Sequence, residues 1–377
     1  MGLAAMPFPP PAETGASLAD IDTPALVLDL DAFERNVARM AEAVKARGVR
    51  LRPHAKSHKC PEIAKRQIAA GAVGVCCQKA SEAEAMIAGG VRDVLVTNEV
   101  VGAVKIERLA GLAHIARVAV LADDARNVAQ LDAVAARRGV RLDVLIELDV
   151  GAGRCGVAPG DGVLALGRVI AGARSLRFAG LHAYHGSAQH LRGPEERRAA
   201  IVAAASHALA ARRALDGIGL RCETVTGAGT GTFLLEAASG AYNEVQPGSY
   251  VFMDADYNRN RWDDDWPRFE QSLFLLASVM SAPASDRVVV DAGLKAASVD
   301  SGLPEVHAWP GLEYVKASDE HGVIRVSPEA RAPALGERLL LVPGHCDPTV
   351  NLHDWLVCVR RGKVEALWPI AARGALW

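Results

Sequence analysis

Aromatic residues are scarce in this chain of 377 residues: Phe, Trp and Tyr together make up 5%, whereas glycine alone contributes 35 positions. Small residues that let elements pack closely suit an α/β protein. There is no basic excess either. Lys and Arg number 42 against 44 Asp and Glu, a net charge of −2, which argues against a nucleic-acid or anionic-membrane partner. No apolar run approaches the ~20 residues of a membrane span. The opening stretch MGLAAMPFPPPAETGASL lacks a basic segment and is broken by prolines, so it reads as a loose leader rather than a secretory signal. The seven cysteines, Cys60, Cys76, Cys77, Cys155, Cys222, Cys346 and Cys358, are odd in number and irregularly spaced, with no C-x-x-C pair. That excludes a disulfide framework and a zinc ribbon, and points to a reduced, cytoplasmic chain. Internal repeats are absent.

What is present is an alternation. Short β-branched runs begin at VRLRPHAK (49–56), AVGVCCQ (72–78), DVLVTN (93–98), ARVAVLAD (116–123), RLDVLIELDV (141–150), LRFAGLHAYHG (176–186), CETVTGAG (222–229) and NEVQPGSYVF (243–252). Alanine- and charge-rich helical stretches separate most of them. Eight such units predict a (β/α)8 barrel, with a doubly wound open sheet as the alternative. After the polar, tryptophan-bearing linker NRNRWDDDWPRFEQ (258–271), strands follow without long helices, which predicts a C-terminal, mainly antiparallel β domain. The expected organisation is a barrel over 27–262 and a β domain formed by 1–26 and 263–377. A helix is expected to start at Asp31, with Asp31 as its cap.

Candidate chemistry gathers at strand ends. In LRPHAKSHKC (51–60), strand alternation puts Arg52, His54 and Lys56 on one face. A lysine beside cationic or imidazole groups can have a lowered pKa and act as a nucleophilic amine; a solvated loop lysine is the plain alternative. Lys59 reads as a water-facing helix start. TGAGTGT (226–232) offers Gly227, Gly229 and Gly231 for close backbone approach to a single phosphate, with Thr230 and Thr232 as hydroxyl donors. QPGSY (246–250) adds Gly248, Ser249 and Tyr250 after the eighth strand, where barrels often bind phosphate. Arg154 in DVGAGRCG could bind an anionic or phenolic oxygen, or sit in water. HAYHGSAQH (182–190) supplies Tyr184, His185 and His190, with His182 as a candidate core residue. In PGHCDPTVNLHDW (343–355), an extended strand would turn His345 and Asp347 to one side as ligands of one cation, with Cys346 facing the core.

Together, RPHAKSHK, DVGAGRCG, AYHGS, TGAGTGT, QPGSY and GHCDPTVNLHD resemble the alanine-racemase-like pyridoxal-phosphate enzymes, and among them the branch of the D-threonine aldolases and D-serine dehydratases. The resemblance runs in order from about Asp22 to Gly374. It implies a pyridoxal 5'-phosphate barrel of alanine racemase type whose β domain brings a divalent metal to the cofactor: Mn²⁺ first, with Mg²⁺ or Zn²⁺ as alternatives. It further implies that Lys56 carries the cofactor and that Arg154 faces its phenolic oxygen. Tyr184 would pack at its ring, Gln246 would face its ring nitrogen, and Thr226, Gly227, Gly229, Thr230, Gly248, Ser249 and Tyr250 would hold its phosphate. His345 and Asp347 match the aldolase metal ligands; the dehydratases typically pair histidine with cysteine. Nothing matches a racemase's catalytic tyrosine. The activity implied is retro-aldol cleavage of a D-β-hydroxy-α-amino acid to glycine and an aldehyde, with His190 or a metal-bound hydroxide as base. The alternative is dehydration to a 2-oxo acid and ammonia. A catalytically silent cofactor carrier would lack the second domain. A homodimer is the expected assembly.

Overall fold

The computed structural model describes residues 8–377; residues 1–7 of the leader, and of the 1–26 segment assigned to the β domain, lie outside them. Among the described residues, seventeen strands form two sheets. In chain order they are β1 (Ala25–Asp29), β2 (Arg50–Leu51), β3 (Val75–Cys77), β4 (Asp93–Glu99), β5 (Arg117–Ala122), β6 (Leu142–Glu147), β7 (Leu176–His182), β8 (Thr224–Gly227), β9 (Glu244–Val245), β10 (Leu273–Ser281), β11 (Arg287–Val290), β12 (Glu305–Val306), β13 (Leu312–Ala317), β14 (Gly322–Val326), β15 (Arg338–Val342), β16 (Trp355–Arg360) and β17 (Lys363–Pro369).

Strands β2 to β9 are the eight runs read from the sequence. They pair in parallel, in the order β2-β9-β8-β7-β6-β5-β4-β3. The two ends of this order meet through a parallel bridge between His54 and Cys76, and through Val73 N–H donating to Leu51 O at 2.9 Å. The sheet therefore closes into a barrel. Strand β6, LDVLIE, is buried at every position, as a parallel strand covered on both faces requires. Helices fill each crossover, the longest being Pro194–Gly217 between β7 and β8.

The second sheet runs β13-β14-β11-β10-β1-β16-β17, with β15 pairing β10 and β12. It is mainly antiparallel, and β1 runs parallel to β16. The expected junction at residue 27 thus falls inside a strand of this sheet. The helix after β1 spans Leu30–Ala46 and is capped by Asp29, whose side chain accepts from Ala32 N–H at 3.0 Å. Asp31 is not the cap; it lies in the first turn and pairs with Arg360. Nor does the leader hang free from residue 8 onward. Gly15 and Leu18 N–H groups bond to Val364 and Gly362 carbonyls at 2.8 and 3.1 Å, at the edge of β17. In the linker, Trp262 stacks on Trp266, which packs edge-on against Phe233.

The floor of the barrel is ionic. Arg52, 8% exposed, donates to Glu244 at 3.0 Å and to Asp93 at 2.6 Å; Glu244 is 1% exposed and also receives Arg50. Asp143 continues the ring to Arg117 and Arg177. Removing Arg52 would strand a buried carboxylate. Arg52→Met is expected to destabilise the fold by about 3–5 kcal/mol in denaturant unfolding; a loss under about 1 kcal/mol would mean Glu244 finds other compensation.

Candidate active site

The chain leaves β2 extended and turns at once. His54 caps a 3-10 turn, Ala55–Ser57, by accepting Lys56 N–H on Nδ1 at 3.3 Å. Its Nε2 lies 2.9 Å from the Thr97 hydroxyl, which points its own proton at Cys77 O. His54 is thus a neutral imidazole protonated on Nε2. Burial, then the Lys56 charge, hold its pKa well below the ordinary value. The turn aims Lys56 at the open, C-terminal end of the barrel. A short contact joins its ammonium to Asp347, from the other domain.

That contact reverses one expectation. Burial alone would lower the Lys56 pKa, but the Asp347 carboxylate more than offsets it, and the amine is held protonated. Asp347 in turn sits well below the usual carboxylate range: burial would raise it, and Lys56 and His345 overcome that. Lys59 is also not the water-facing residue expected. It is 5% exposed and donates to Glu82 at 2.6 Å.

His345 and Asp347 meet, though by a different geometry from an extended strand. His345 is the extended cap of a short helix, Cys346–Val350, and its Nε2 is 4.0 Å from Asp347 Oδ1. Its Nδ1 lies 2.9 Å from Asp300 Oδ2, so the Nδ1 proton goes to that carboxylate and Nε2 faces Asp347. An imidazole oriented by a carboxylate behind it is the usual support for a metal-binding histidine. The 4.0 Å gap lets both atoms reach one cation at about 2.1 Å each. Among the described residues no group of three or more His, Cys, Asp or Glu gathers at metal-binding distance, so this pair would leave most positions to water and substrate. Cys346 is buried beside them and its thiol pKa is pushed well up by burial.

The pocket below opens to solvent at the mouth of the barrel. Lys56, Arg154, Tyr184, Gln246, Gly229, Thr230, Gly248 and Ser249 all line it. The Arg154 guanidinium is 5.8 Å from the centre of the Tyr184 ring. Gln246 is fixed at both ends: it accepts from His182 Nε2 at 3.1 Å and donates to Thr226 Oγ1 at 2.8 Å. Burial would lower the His182 pKa, but paired Glu147 lifts it; its Nδ1 faces Glu147 and its Nε2 faces Gln246 Oε1.

Three of the expected phosphate residues stand behind the wall. The Thr226 hydroxyl accepts from Gln246. Gly227 backs onto Ala183, and a Cβ there would lie 2.2 Å from Ala183 O. The Tyr250 ring is fully buried, with its hydroxyl 3.1 Å from Gln67 Nε2. The glycines also have a reason other than ligand approach. A Cβ on Gly229 would lie 2.5 Å from Gln189 Oε1, and one on Gly248 2.8 Å from His54 O. His190 stands one ring back. Its Nδ1 is 2.5 Å from Asp256 Oδ2, and its ring centre is 5.7 Å from that of Tyr257, which lines the pocket. The sequence reading missed Gln78, Thr97 and Tyr257 as lining residues. Gln78 and Thr97 end β-runs at the mouth of the barrel, a signal that could have found them; Asp300, in a loop of the other domain, had none.

Lys56 at one end, Arg154, Tyr184 and Gln246 in the middle, and hydroxyls with free backbone at Gly229, Thr230 and Ser249 fit a flat phosphorylated aromatic aldehyde. Comparison with known proteins gives the family. Residues 28–256 match the alanine racemase N-terminal domain family, and residues 272–359 match a serine dehydratase domain. The chain is 52% identical over 367 residues to a D-threonine aldolase of an Arthrobacter species, covering 97% of each. It is 49% identical over 370 residues to a 3-hydroxy-D-aspartate aldolase of Paracoccus denitrificans, covering 97% of this chain and 95% of that one. A D-threo-3-hydroxyaspartate dehydratase of a Delftia species is 31% identical over 387 residues, covering 96% and 97%. A crystal structure of a D-threonine aldolase from Filomicrobium marinum superposes with a TM-score of 0.96 at 52% identity, covering 97% of this chain and all of that one.

One buried acid behind the glycine-rich loop is ill at ease. Glu236 is 1% exposed; its Oε1 accepts from Thr232 at 2.7 Å and its Oε2 has no partner among the described residues. Burial raises its pKa from 4.5 to about 7. The folded state therefore binds this proton more tightly than the unfolded chain does, and stability falls as pH rises from about 4.5 to about 7, then levels. Glu236→Gln should remove that slope. It is expected to stabilise the cofactor-free protein by roughly 2–3 kcal/mol above pH 7 relative to wild type, with no gain near pH 4. Parallel pH-dependent melting curves for the two proteins would contradict this.

Proposed function

The chain belongs to the alanine racemase N-terminal domain family, and from that premise we propose that it cleaves D-threonine and related D-β-hydroxy-α-amino acids to glycine and an aldehyde, as a carbon–carbon lyase. The observation that carries the reading is the meeting of Lys56 from the barrel with Asp347 and His345 from the second domain, in a chain half identical to D-threonine aldolase over nearly its whole length. Pyridoxal phosphate, carried by Lys56, supplies the electron sink for the bond that breaks at Cα. Arg154, Tyr184 and Gln246 orient its ring, while Gly229, Thr230, Gly248 and Ser249 hold its phosphate. His345 Nε2 and Asp347 would hold a divalent cation, Mn²⁺ in the first instance, which would supply Lewis acidity beside the substrate.

The remaining steps belong to side chains. His190 takes the β-hydroxyl proton. Lys56, freed when substrate binds, returns a proton to Cα and so completes glycine. The second position of the metal pair also favours the aldolase over the dehydratase: Asp347 faces Lys56, whereas Cys346 is turned into the core with its thiol held protonated. The substrate side chain is small or anionic, after the D-threonine and 3-hydroxy-D-aspartate relatives. A homodimer in the cytoplasm completes the reading. The seven cysteines all stand as free thiols, and no helix among the described residues is long and apolar enough to cross a membrane.

Purified protein with pyridoxal phosphate, Mn²⁺ and D-threonine should yield glycine and acetaldehyde in equal amounts. Chelation should abolish the activity and Mn²⁺ should restore it. Ammonia with 2-oxobutyrate as products would replace this reading with the dehydratase one.

A further inference from the structure

The segment that follows the eighth barrel strand is sewn to the metal-ligand loop. Ala255 and Asp256 N–H groups donate to Pro343 and Gly344 carbonyls at 2.9 and 3.2 Å, and Cys346 N–H donates to Asp254 Oδ2 at 2.9 Å. The same segment presents the Asp256 carboxylate, 5% exposed, to His190. Its two oxygens have separate duties. Oδ2 takes His190 Nδ1 at 2.5 Å; Oδ1 takes Arg192, and Arg259 at 3.2 Å. Arg192 further locks the turn through Asp256 O and Asn260 Oδ1, both at 2.7 Å, and Asn260 Nδ2 holds Gln189 O at 2.9 Å. His190 Nε2 makes no hydrogen bond to the described residues.

We propose that Asp256 is a positioning residue that keeps the His190 proton on Nδ1, leaving the Nε2 lone pair free to accept the β-hydroxyl proton. This rests on His190 being the base, as read above. Two guanidinium donors on Oδ1 keep the carboxylate ionised although it is buried, so it remains an acceptor towards His190. Because its backbone is bonded beside His345, Asp256 also fixes His190 relative to the metal pair. The base and the Lewis acid are then held by one short element.

The arginines make the test sharp. In Asp256→Asn, their N–H groups require the amide oxygen at the Oδ1 position. The amide NH₂ must then face His190 Nδ1, which drives the ring proton to Nε2 and leaves no lone pair for the substrate. Asp256→Asn should lower kcat for D-threonine by on the order of 100-fold or more, by analogy with wrong-tautomer triads. KM should stay within about threefold and the cofactor's absorbance should be retained. Adding His190→Gln should then cost nothing further, because residues that act as a unit are not additive. If Asp256→Asn retains near wild-type kcat while His190→Gln is inactive, the role of Asp256 is refuted and the base stands. If His190→Gln is itself active, the base reading fails, and this proposal with it. A second measurement does not depend on the variant folding. In ¹⁵N-histidine-labelled wild-type holoenzyme loaded with Mg²⁺, the ring signals missing from His190→Gln should show an Nδ1–H tautomer; an Nε2–H tautomer overturns the proposal.

Discussion

The contact between the Lys56 ammonium and the Asp347 carboxylate organises the active site. One partner sits in the turn after a barrel strand and the other in the first turn of a short helix of the second domain, so neither domain holds the site alone. Asp347 is largely buried and Lys56 partly so, and a carboxylate so placed is tolerated only when paired. Much of the surrounding structure keeps the two within reach: the turn capped by His54, and the run of hydrogen bonds from Asp254–Asp256 to Pro343–Cys346. Strand β1, threaded into the second sheet before the chain enters the barrel, adds a covalent tie at the far side.

Around that contact, each polar side chain has a partner that sets its protonation. Thr97 fixes the His54 tautomer, Glu147 lifts the His182 pKa, Asp300 turns His345 and Asp256 turns His190. Three of these partners are carboxylates behind imidazoles. Asp300 and Asp256 leave an imidazole nitrogen of His345 and His190 without a proton to hold, while Glu147 orients His182 towards Gln246. The barrel's other end shows the same chemistry used for a different purpose, since the Arg52–Glu244–Asp93 cluster closes the floor.

Much of this was legible in the sequence, for physical reasons. Parallel barrel strands are short apolar runs between helical stretches, so all eight could be read. Candidate groups at strand ends follow from the barrel's geometry, which is why Lys56, Arg154, Tyr184, Gly229 and Ser249 could be read by position, and Gln246 through the resemblance; all of them line one pocket. What failed was local backbone detail and burial. PGHCDPTV looks extended, yet proline at position 348 is compatible with an early helix position, and the segment turns helical after His345. Asp29 and Asp31 are equivalent caps by type; the end of β1 at Asp29 decides between them. Lys59 and Tyr250 are polar by name, but Glu82 and Gln67 bury them, and no local pattern announces such distant partners. Of the TGAGTGT glycines, Gly229 lines the pocket while Gly227 backs onto Ala183, and atoms behind both exclude a side chain. Asp256, Asp300 and Tyr257 could be seen only once the two domains were assembled.

The central claim is that Asp347 serves a cation and that Lys56 occupies its place when no cation is bound. The direct measurement is Mn²⁺ affinity, by calorimetry or electron paramagnetic resonance, for the cofactor-free wild type and Lys56→Met. The account predicts tighter binding in the variant, by about tenfold or more, since removing a like charge at ~4 Å is worth on the order of 1–4 kcal/mol. Equal or weaker binding would contradict it, and would mean that His345 and Asp347 are not where the metal sits.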